Sequence, residues 1–431
     1  MVSIRTALDA LKSQLQTYQL IPAGFIEQLC KEAAHVWRDR TLVPAMTVHL
    51  LILQLLGNVS LEGLRRVAKI KVTAQAINAA RKRLPLKVLL GLVEHVGQIA
   101  GKSCVSTWKG LRVKLADGSS FLTEDTEELA NRYGRAKNQR GTSRSYPVPK
   151  LLALLDLTSG MICKVIALPW HRGERAGLSR MFGYLQRGDL LLGDRGLVCF
   201  AHLALLKRQG VECCMRLPRW LVVNSRGRSH GKQVRRLGRQ DWLVRWTPAR
   251  RPGWMTRAAW KRMPQELILR QISFRLCRRG FRTQWGWLVT TLTEDRKYSA
   301  QEIVDLYERR WQVEVYFRDL RKSLHFQKLS AKSIEAVRKQ VLAFVLLYNL
   351  VRQIMIQAAR QQGVDPERIS FIDAVRWLLW STPGEALPEL VINPKRQRAT
   401  QPRMIKRGRH RYPQLNGPRD QLSRPRHQGI I

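Results

Sequence analysis

The sequence predicts an α/β fold class with four parts: an all-helical N-terminal region, a core of strands and helices, a mostly β insertion within that core, and a basic flexible C-terminal tail. Three observations predict it. Apolar residues recur at helical spacing through the first hundred positions, that spacing gives way to strand alternation near Leu111, and short alternating segments rich in tryptophan fill residues 218–284. With 431 residues and 45% hydrophobic composition, the chain can bury a full core in two or three domains.

Charge narrows the partners. Lys and Arg number 76 against 32 Asp and Glu, a formal net charge of +44. A compact chain with that excess repels itself unless a polyanion is its usual partner, so nucleic acid leads and an anionic membrane comes second. Segment length counts against the membrane: the most apolar run, Val341 to Val351, falls short of the roughly 20 residues a bilayer needs and is bounded by Lys339 and Arg352. A buried core helix is expected there. Residues 1–20 mix Arg5, Asp9 and Lys12 with polar residues and hold no apolar signal core, so a cytoplasmic location is expected. Seven scattered cysteines lack zinc-ligand spacing, and the adjacent Cys213-Cys214 in an apolar stretch reads as core filling.

Taken in order, residues 1–105 form the helical N-terminal domain. Thr41 to Leu56 is an apolar helix, Ser60 caps the next, and Thr73 caps a third with Gln75, Asn78 and Arg81 facing outward. Such a region is either a helix-turn-helix module that binds DNA or a plain bundle with a solvated basic face. Residues 106–217 are the first part of the core. Leu111 to Ser119 reads as a strand ending in Asp117-Gly118, and Lys150 to Leu157 and Met161 to Leu168 as a hairpin about Thr158-Ser159-Gly160, giving three antiparallel strands. Asp189 to Leu192 is apolar on both faces, as a buried strand should be, and runs into Asp194. A helix from Ala201 to Gln209 and a strand from Val211 to Leu217 follow. Residues 218–284 are the β-rich insertion. Residues 285–392 complete the core, with a strand from Trp285 to Leu292, a helix capped by Ser299 and Glu302, and the C-terminal helices. Residues 393–431, basic and broken by prolines, form the tail.

The stretch from Tyr307 to Leu324 organises the chemistry. On a uniform helix Tyr307, Arg310, Glu314 and Arg321 share one face, while Leu306, Val313, Phe317, Leu320 and Leu324 form an adjacent apolar stripe that docks it. Glu314 is then either half of a surface ion pair with Arg310 or a metal ligand flanked by phosphate clamps. Its partners decide between these. A strand carrying Asp117, a second carrying Asp194 and a later helix carrying Glu314 match the plan of a ribonuclease-H-like catalytic core, in which carboxylates hold two divalent cations for phosphodiester chemistry. Hard oxygen ligands select Mg²⁺ or Mn²⁺.

Asp117-Gly-Ser, Gly193-Asp194-Arg195-Gly196, and Leu288 to Leu292 followed by Tyr307-x-x-Arg310-Trp311-x-x-Glu314, resemble the DDE transposases of bacterial insertion sequences with a Tyr-Arg-Glu-Lys signature, the group typified by insertion sequence four. The resemblance runs from about Leu111 to the tail. It implies a DNA transposase that cuts element ends and joins the 3′-hydroxyl to target DNA, with Asp117, Asp194 and Glu314 as the catalytic, metal-binding triad for two Mg²⁺ or Mn²⁺ ions. It further implies that Tyr307 and Arg310 hold the DNA backbone, that a tryptophan, Trp285 or Trp287, stacks on a flipped base, and that the protein works as a homodimer on double-stranded terminal inverted repeats and target DNA in the bacterial nucleoid. The signature lysine falls on Arg321, with Lys322 next to it, so Arg321 is the expected substitute clamp. That departure also admits a DNA-binding protein of the same descent that no longer cuts. His171 and Glu174 are further polar residues that could line the site.

Overall fold

The computed structural model describes residues 8–394, apart from 10, 12, 14–19, 69, 104–105, 138–142, 225–230, 249 and 277–283; the basic tail expected from residue 393 lies almost wholly outside the described residues. The chain divides into two compact units. The first is built from Met1–Leu190 and Arg310–Asn393, and the second contains Leu191–Arg309. The fold class is the expected α/β one, with an all-helical N-terminal region and a large mixed sheet.

The first unit begins with α1 (Ala23–Glu32), α2 (Pro44–Gly57), α3 (Leu61–Val67), α4 (Ala74–Arg83) and α5 (Leu86–Ser103). Ser60 and Thr73 cap α3 and α4 as expected, their hydroxyl oxygens accepting from the N–H groups of Gly63 and Ala76. Two details differ from the sequence reading. The connection between α3 and α4, residues 68–73, is longer than the about 3–4 residues of a helix-turn-helix turn. Arg81 turns inward rather than out: one helical turn from buried Ile77, its guanidinium is buried, and burial pulls its pKa down to about 10. Gln75 and Asn78 remain exposed.

Strand β1 (Arg112–Ser120) follows, then α6 (Glu127–Tyr133), β2 (Arg135–Lys137), β3 (Ser143–Pro147), β4 (Lys150–Asp156), β5 (Ile162–Leu168) and α7 (Glu174–Ser179). β1 pairs antiparallel with β4, and β4 with β5, which are the three antiparallel strands the sequence suggests. β2 and β3 form a separate two-stranded sheet. β1 does not stop at Asp117. Asp117 pairs with Ala153 and Gly118 with Leu152, so the Asp-Gly pair is continuous strand and not a turn. Gly118 lies close beneath the Glu174 carboxylate: a Cβ there would stand 2.6 Å from Glu174 Oε1, the mobile end of that side chain.

The unit is completed by α11 (Gln312–Arg318), α12 (Ile334–Gln361) and α13 (Phe371–Trp380), numbered after α8 to α10 of the second unit. α12 is 28 residues, longer than the apolar run alone implied and long enough by length and composition to cross a bilayer, yet 94% of its most apolar window is buried inside the protein. It packs against α2, α5, α13 and β5. Polar side chains fix its register: Asn349 exchanges two hydrogen bonds of 3.0 Å with the backbone of Ile162, Tyr348 donates to Gly160 O, and Arg352 donates through Nε and Nη2 to Ser159 O. Each of these bonds satisfies a buried polar group that would otherwise be costly.

In the second unit, β6 (Asp189–Gly193), which starts in the first, leads through α8 (Phe200–Gln209) to β7 (Glu212–Leu217). All five residues of β6 are buried, as the sequence predicts. β8 (Gly231–Gly238), β9 (Asp241–Trp246), α9 (Arg257–Lys261), β10 (Leu267–Leu276) and β11 (Gln284–Thr290) follow, then α10 (Ala300–Glu308). The strand order is β6-β7-β11-β10-β9-β8. The tryptophan-rich segment is mostly β, but it does not close on itself, because β11 pairs antiparallel with β7 and carries the same sheet outward. Arg270 on β10, 1% exposed, donates through Nε and Nη2 to the two oxygens of Asp241 at 2.9 and 2.6 Å and through Nη1 to Tyr298 O.

Two stability predictions follow from these buried charges. Arg270→Met strands the Asp241 carboxylate and is expected to cost about 3–5 kcal/mol, whereas Arg270→Met with Asp241→Leu recovers most of the loss; unfolding temperatures followed by tryptophan fluorescence check both. Asp319, buried just beyond α11, is pushed up from 3.8 to about 6 mainly by burial, against Arg318 and Arg352. The folded chain therefore holds this proton where the unfolded chain releases it. Stability should fall by about 3 kcal/mol as pH rises from about 4 through 6, and Asp319→Asn should remove that fall in denaturant titrations across the window.

Candidate active site

The expected uninterrupted helix through Glu314 is wound three ways. The Ser299/Glu302 capping box starts α10 as predicted, a tight 3₁₀ turn occupies Arg309–Trp311, α11 restores α-helical winding, and a π-helical turn spans Asp319–Ser323. The apolar stripe is buried as expected, Val313 and Leu320 completely. The polar face cannot be read at a constant 100° per residue, because the 3₁₀ turn is tighter and the π turn wider than an α-helix. Arg321 and Lys322 both sit exposed in the π turn, so angular bookkeeping no longer separates them.

Within the first unit, Asp117 and Glu314 are brought to one arginine. Arg310 is 7% exposed and donates from Nη1 to Asp117 Oδ2 at 2.9 Å, while Asp117 Oδ1 accepts from its own neighbour, Gly118 N, at 2.8 Å. Both carboxylate oxygens are thus oriented. Glu314 lies in the first turn of α11, and its pKa is raised, first by partial burial and then by the negative charge of Asp117, with Arg310 opposing. Arg310 thus reaches past its i,i+4 neighbour Glu314, whose pKa it pulls down, to Asp117, 193 residues away. Sequence spacing pointed to Arg310 but could not supply this partner, since no local pattern links β1 to a 3₁₀ turn so far along the chain.

Glu174, a minor candidate, is placed against Gly118. Side chains alternate along β1, so this is the face opposite Asp117. His171 packs near Gly134.

In the second unit, Asp194 directly follows β6 at half-buried exposure, and its carbonyl accepts from Leu197 N in the turn. Tyr307, at the end of α10, is 6% exposed; its hydroxyl donates to Gly193 O at 3.2 Å and its ring lies 6.3 Å from that of Phe274. The tyrosine thereby pins the residue before Asp194. Trp285 on β11 is 56% exposed, with the Arg275 guanidinium 4.6 Å from its ring centroid, while Trp287 is half-buried and tilted against Trp242 at 5.7 Å. Of the two tryptophans, Trp285 offers the open ring face.

Among the described residues, no three His, Cys, Asp or Glu side chains are gathered into a group that could hold a metal ion. Cys213 and Cys214 are buried thiols, and burial pushes Cys213 up to about 12, which agrees with core filling.

Residues 108–350 match the family described as the transposase DDE domain. Transposase InsG for insertion sequence element IS4 of Escherichia coli (strain K12) is 24% identical over 362 residues, 79% of this chain and 78% of that protein. The transposase for insertion sequence element IS421 of Escherichia coli is 38% identical over 68 residues, 16% of this chain and 18% of its own. Among solved structures, the piggyBac transposase in a synaptic complex with hairpin DNA covers 88% of this chain and 80% of that chain at a TM-score of 0.42 and 11% identity, a likeness too loose to carry an argument about the site. The matched residues span more than half of the chain and include Asp117, Asp194 and Glu314, so the chain belongs to the transposase DDE domain family.

Proposed function

We propose that the chain is a transposase of the IS4 type that cuts the terminal inverted repeats of its element and joins the freed 3′-hydroxyl to target DNA. The observation that carries this reading is the Arg310 contact to Asp117 beside Glu314, inside the matched family segment. A transposase DDE domain implies dependence on divalent metal in general. The donor chemistry of the first unit fits such an ion: Asp117 and Glu314 are hard oxygen donors, and the charge of Asp117 opposes ionisation of Glu314, a condition a divalent cation relieves.

Asp117 and Glu314, with Asp194 from the β6 turn, would hold Mg²⁺ or Mn²⁺, two ions in the fullest form of the reading. When bound, the metal supplies charge neutralisation for in-line displacement at phosphorus. The chain's own side chains do the rest. Arg310, once a cation satisfies Asp117, is free to turn its guanidinium to a phosphate oxygen, for which its planar fork is suited. Tyr307 fixes the backbone before Asp194, Arg321 and Lys322 add cationic contacts from the π turn, and Trp285 presents a ring face to an unstacked base. A pair of such chains would hold both element ends. DNA as the partner agrees with the net charge of +44.

Two outcomes test this reading. Asp117→Ala, Asp194→Ala and Glu314→Ala should each lower cutting of terminal-repeat DNA by about three orders of magnitude while DNA binding persists, in a gel assay with Mg²⁺ or Mn²⁺; a wild-type chain that binds this DNA yet never cuts it under either metal would favour the non-cutting descendant that Arg321 admits. Arg310→Gln should separate two roles. Mn²⁺ affinity measured by calorimetry should hold or rise, because the competing guanidinium is gone, while cutting falls by roughly 10²–10³-fold.

A further inference from the structure

In the first unit, three exposed aromatic rings, Tyr146, Trp170 and Tyr184, each carry a lysine, and two of them share a backbone anchor. Trp170 is 37% exposed, with Lys150 Nζ 5.1 Å from its ring centroid; Tyr146 is 38% exposed, with Lys328 Nζ at 4.1 Å. Lys150 Nζ also donates to Arg172 O at 3.4 Å, and Lys328 pairs with Glu124 at 3.3 Å. Both rings hang from one piece of backbone. Trp170 N donates to Tyr133 O at 2.7 Å, and Val148 N, two residues past Tyr146, donates to the adjacent Gly134 O at 3.0 Å.

The Tyr146 pair also marks where the segments bearing the two first-unit carboxylates meet. Leu122, two residues beyond β1, donates to Gln327 O at 2.9 Å, and its carbonyl accepts from Leu329 N at 2.8 Å. Lys328 sits between those two bonds, in the loop after the π turn that follows Glu314. Leu122 lies five residues after Asp117, at most about 17 Å of chain, which is roughly the length of five stacked nucleotides.

We propose that Trp170 with Lys150 and Tyr146 with Lys328 form a contact surface for an unpaired DNA strand leading away from the Asp117 carboxylate. Each ring offers a π face on which any base can stack, and each lysine offers a cation to the neighbouring phosphate, the combination that gives sequence-tolerant grip on single strands. Charge complementarity selects the occupant, since a chain of net charge +44 has little reason to recruit a cationic or neutral partner there. The surface rests on the proposed function only in taking DNA as the ligand.

The test compares two DNAs at one fixed salt concentration, without divalent metal: a blunt duplex, and the same duplex with a single-stranded thymidine extension. Fluorescence anisotropy with the full chain gives the ratio of affinities. The wild-type chain should favour the extended DNA by about tenfold or more. Trp170→Ala with Tyr146→Ala should bring that ratio close to one, while Trp170→Phe with Tyr146→Phe, which keeps the stacking faces, should preserve it. A wild-type ratio near one, or an alanine variant that keeps the wild-type ratio, overturns the proposal. Because the ratio is read without cutting, it can fail while the proposed chemistry stands, and stand while the chemistry fails.

Discussion

The guanidinium of Arg310 is the constraint on which the arrangement of the first unit turns. It is nearly buried, it orients Asp117 from a position 193 residues along the chain, and it offsets the charge that Asp117 imposes on Glu314. Without a cation at that point, desolvation and the charge of Asp117 would both work against ionisation of Glu314 with nothing to oppose them. An arginine there keeps the carboxylates apart in charge while leaving open the exchange of one cation for another. Positioning is rigid for the same reason. β1 is held on its other flank by β4, with Gly118 yielding its side-chain space to Glu174.

Much of this could be read from the residues. The antiparallel trio of β1, β4 and β5, the buried β6, the caps at Ser60, Thr73 and Ser299, and the apolar stripe from Leu306 to Leu324 all follow from periodicity and capping chemistry, which are local properties. Four details were not legible, for reasons that differ from one to the next. The 3₁₀ and π turns around α11 arise where the chain must serve both the buried stripe and the contact to β1. Asp117-Gly118 read as the end of its strand, whereas pairing with Ala153 and Leu152 carries β1 on through both residues. Arg81 looked like an outward recognition residue, but its position one turn after Ile77 places it inside. β8 escaped notice because its residues are exposed on both faces, so no alternation marks it.

The same logic explains α12. Composition alone cannot separate a core helix from a membrane span, since both need a long apolar stretch. What separates them is where the polar side chains go. Tyr348, Asn349 and Arg352 lie within little more than one turn of α12 and all reach the hairpin between β4 and β5, at Gly160, Ile162 and Ser159. Protein, not lipid, supplies the partners these groups need.

A chain with more than twice as many cations as anions must dispose of the excess. Part goes into carboxylate pairs such as Arg270 with Asp241 and Arg112 with Asp189. Another part is placed over aromatic faces: Tyr146, Trp170, Tyr184, Trp285 and Trp311 are exposed rings, and each has a lysine or arginine over it. A cation on a ring is only loosely neutralised, because the quadrupole of the ring offsets a fraction of a charge. Such pairs keep their positive potential for a phosphate and their ring for a base. The distribution of charge thus favours ligands that carry both groups at alternating positions, and a nucleic-acid strand is the polymer that does.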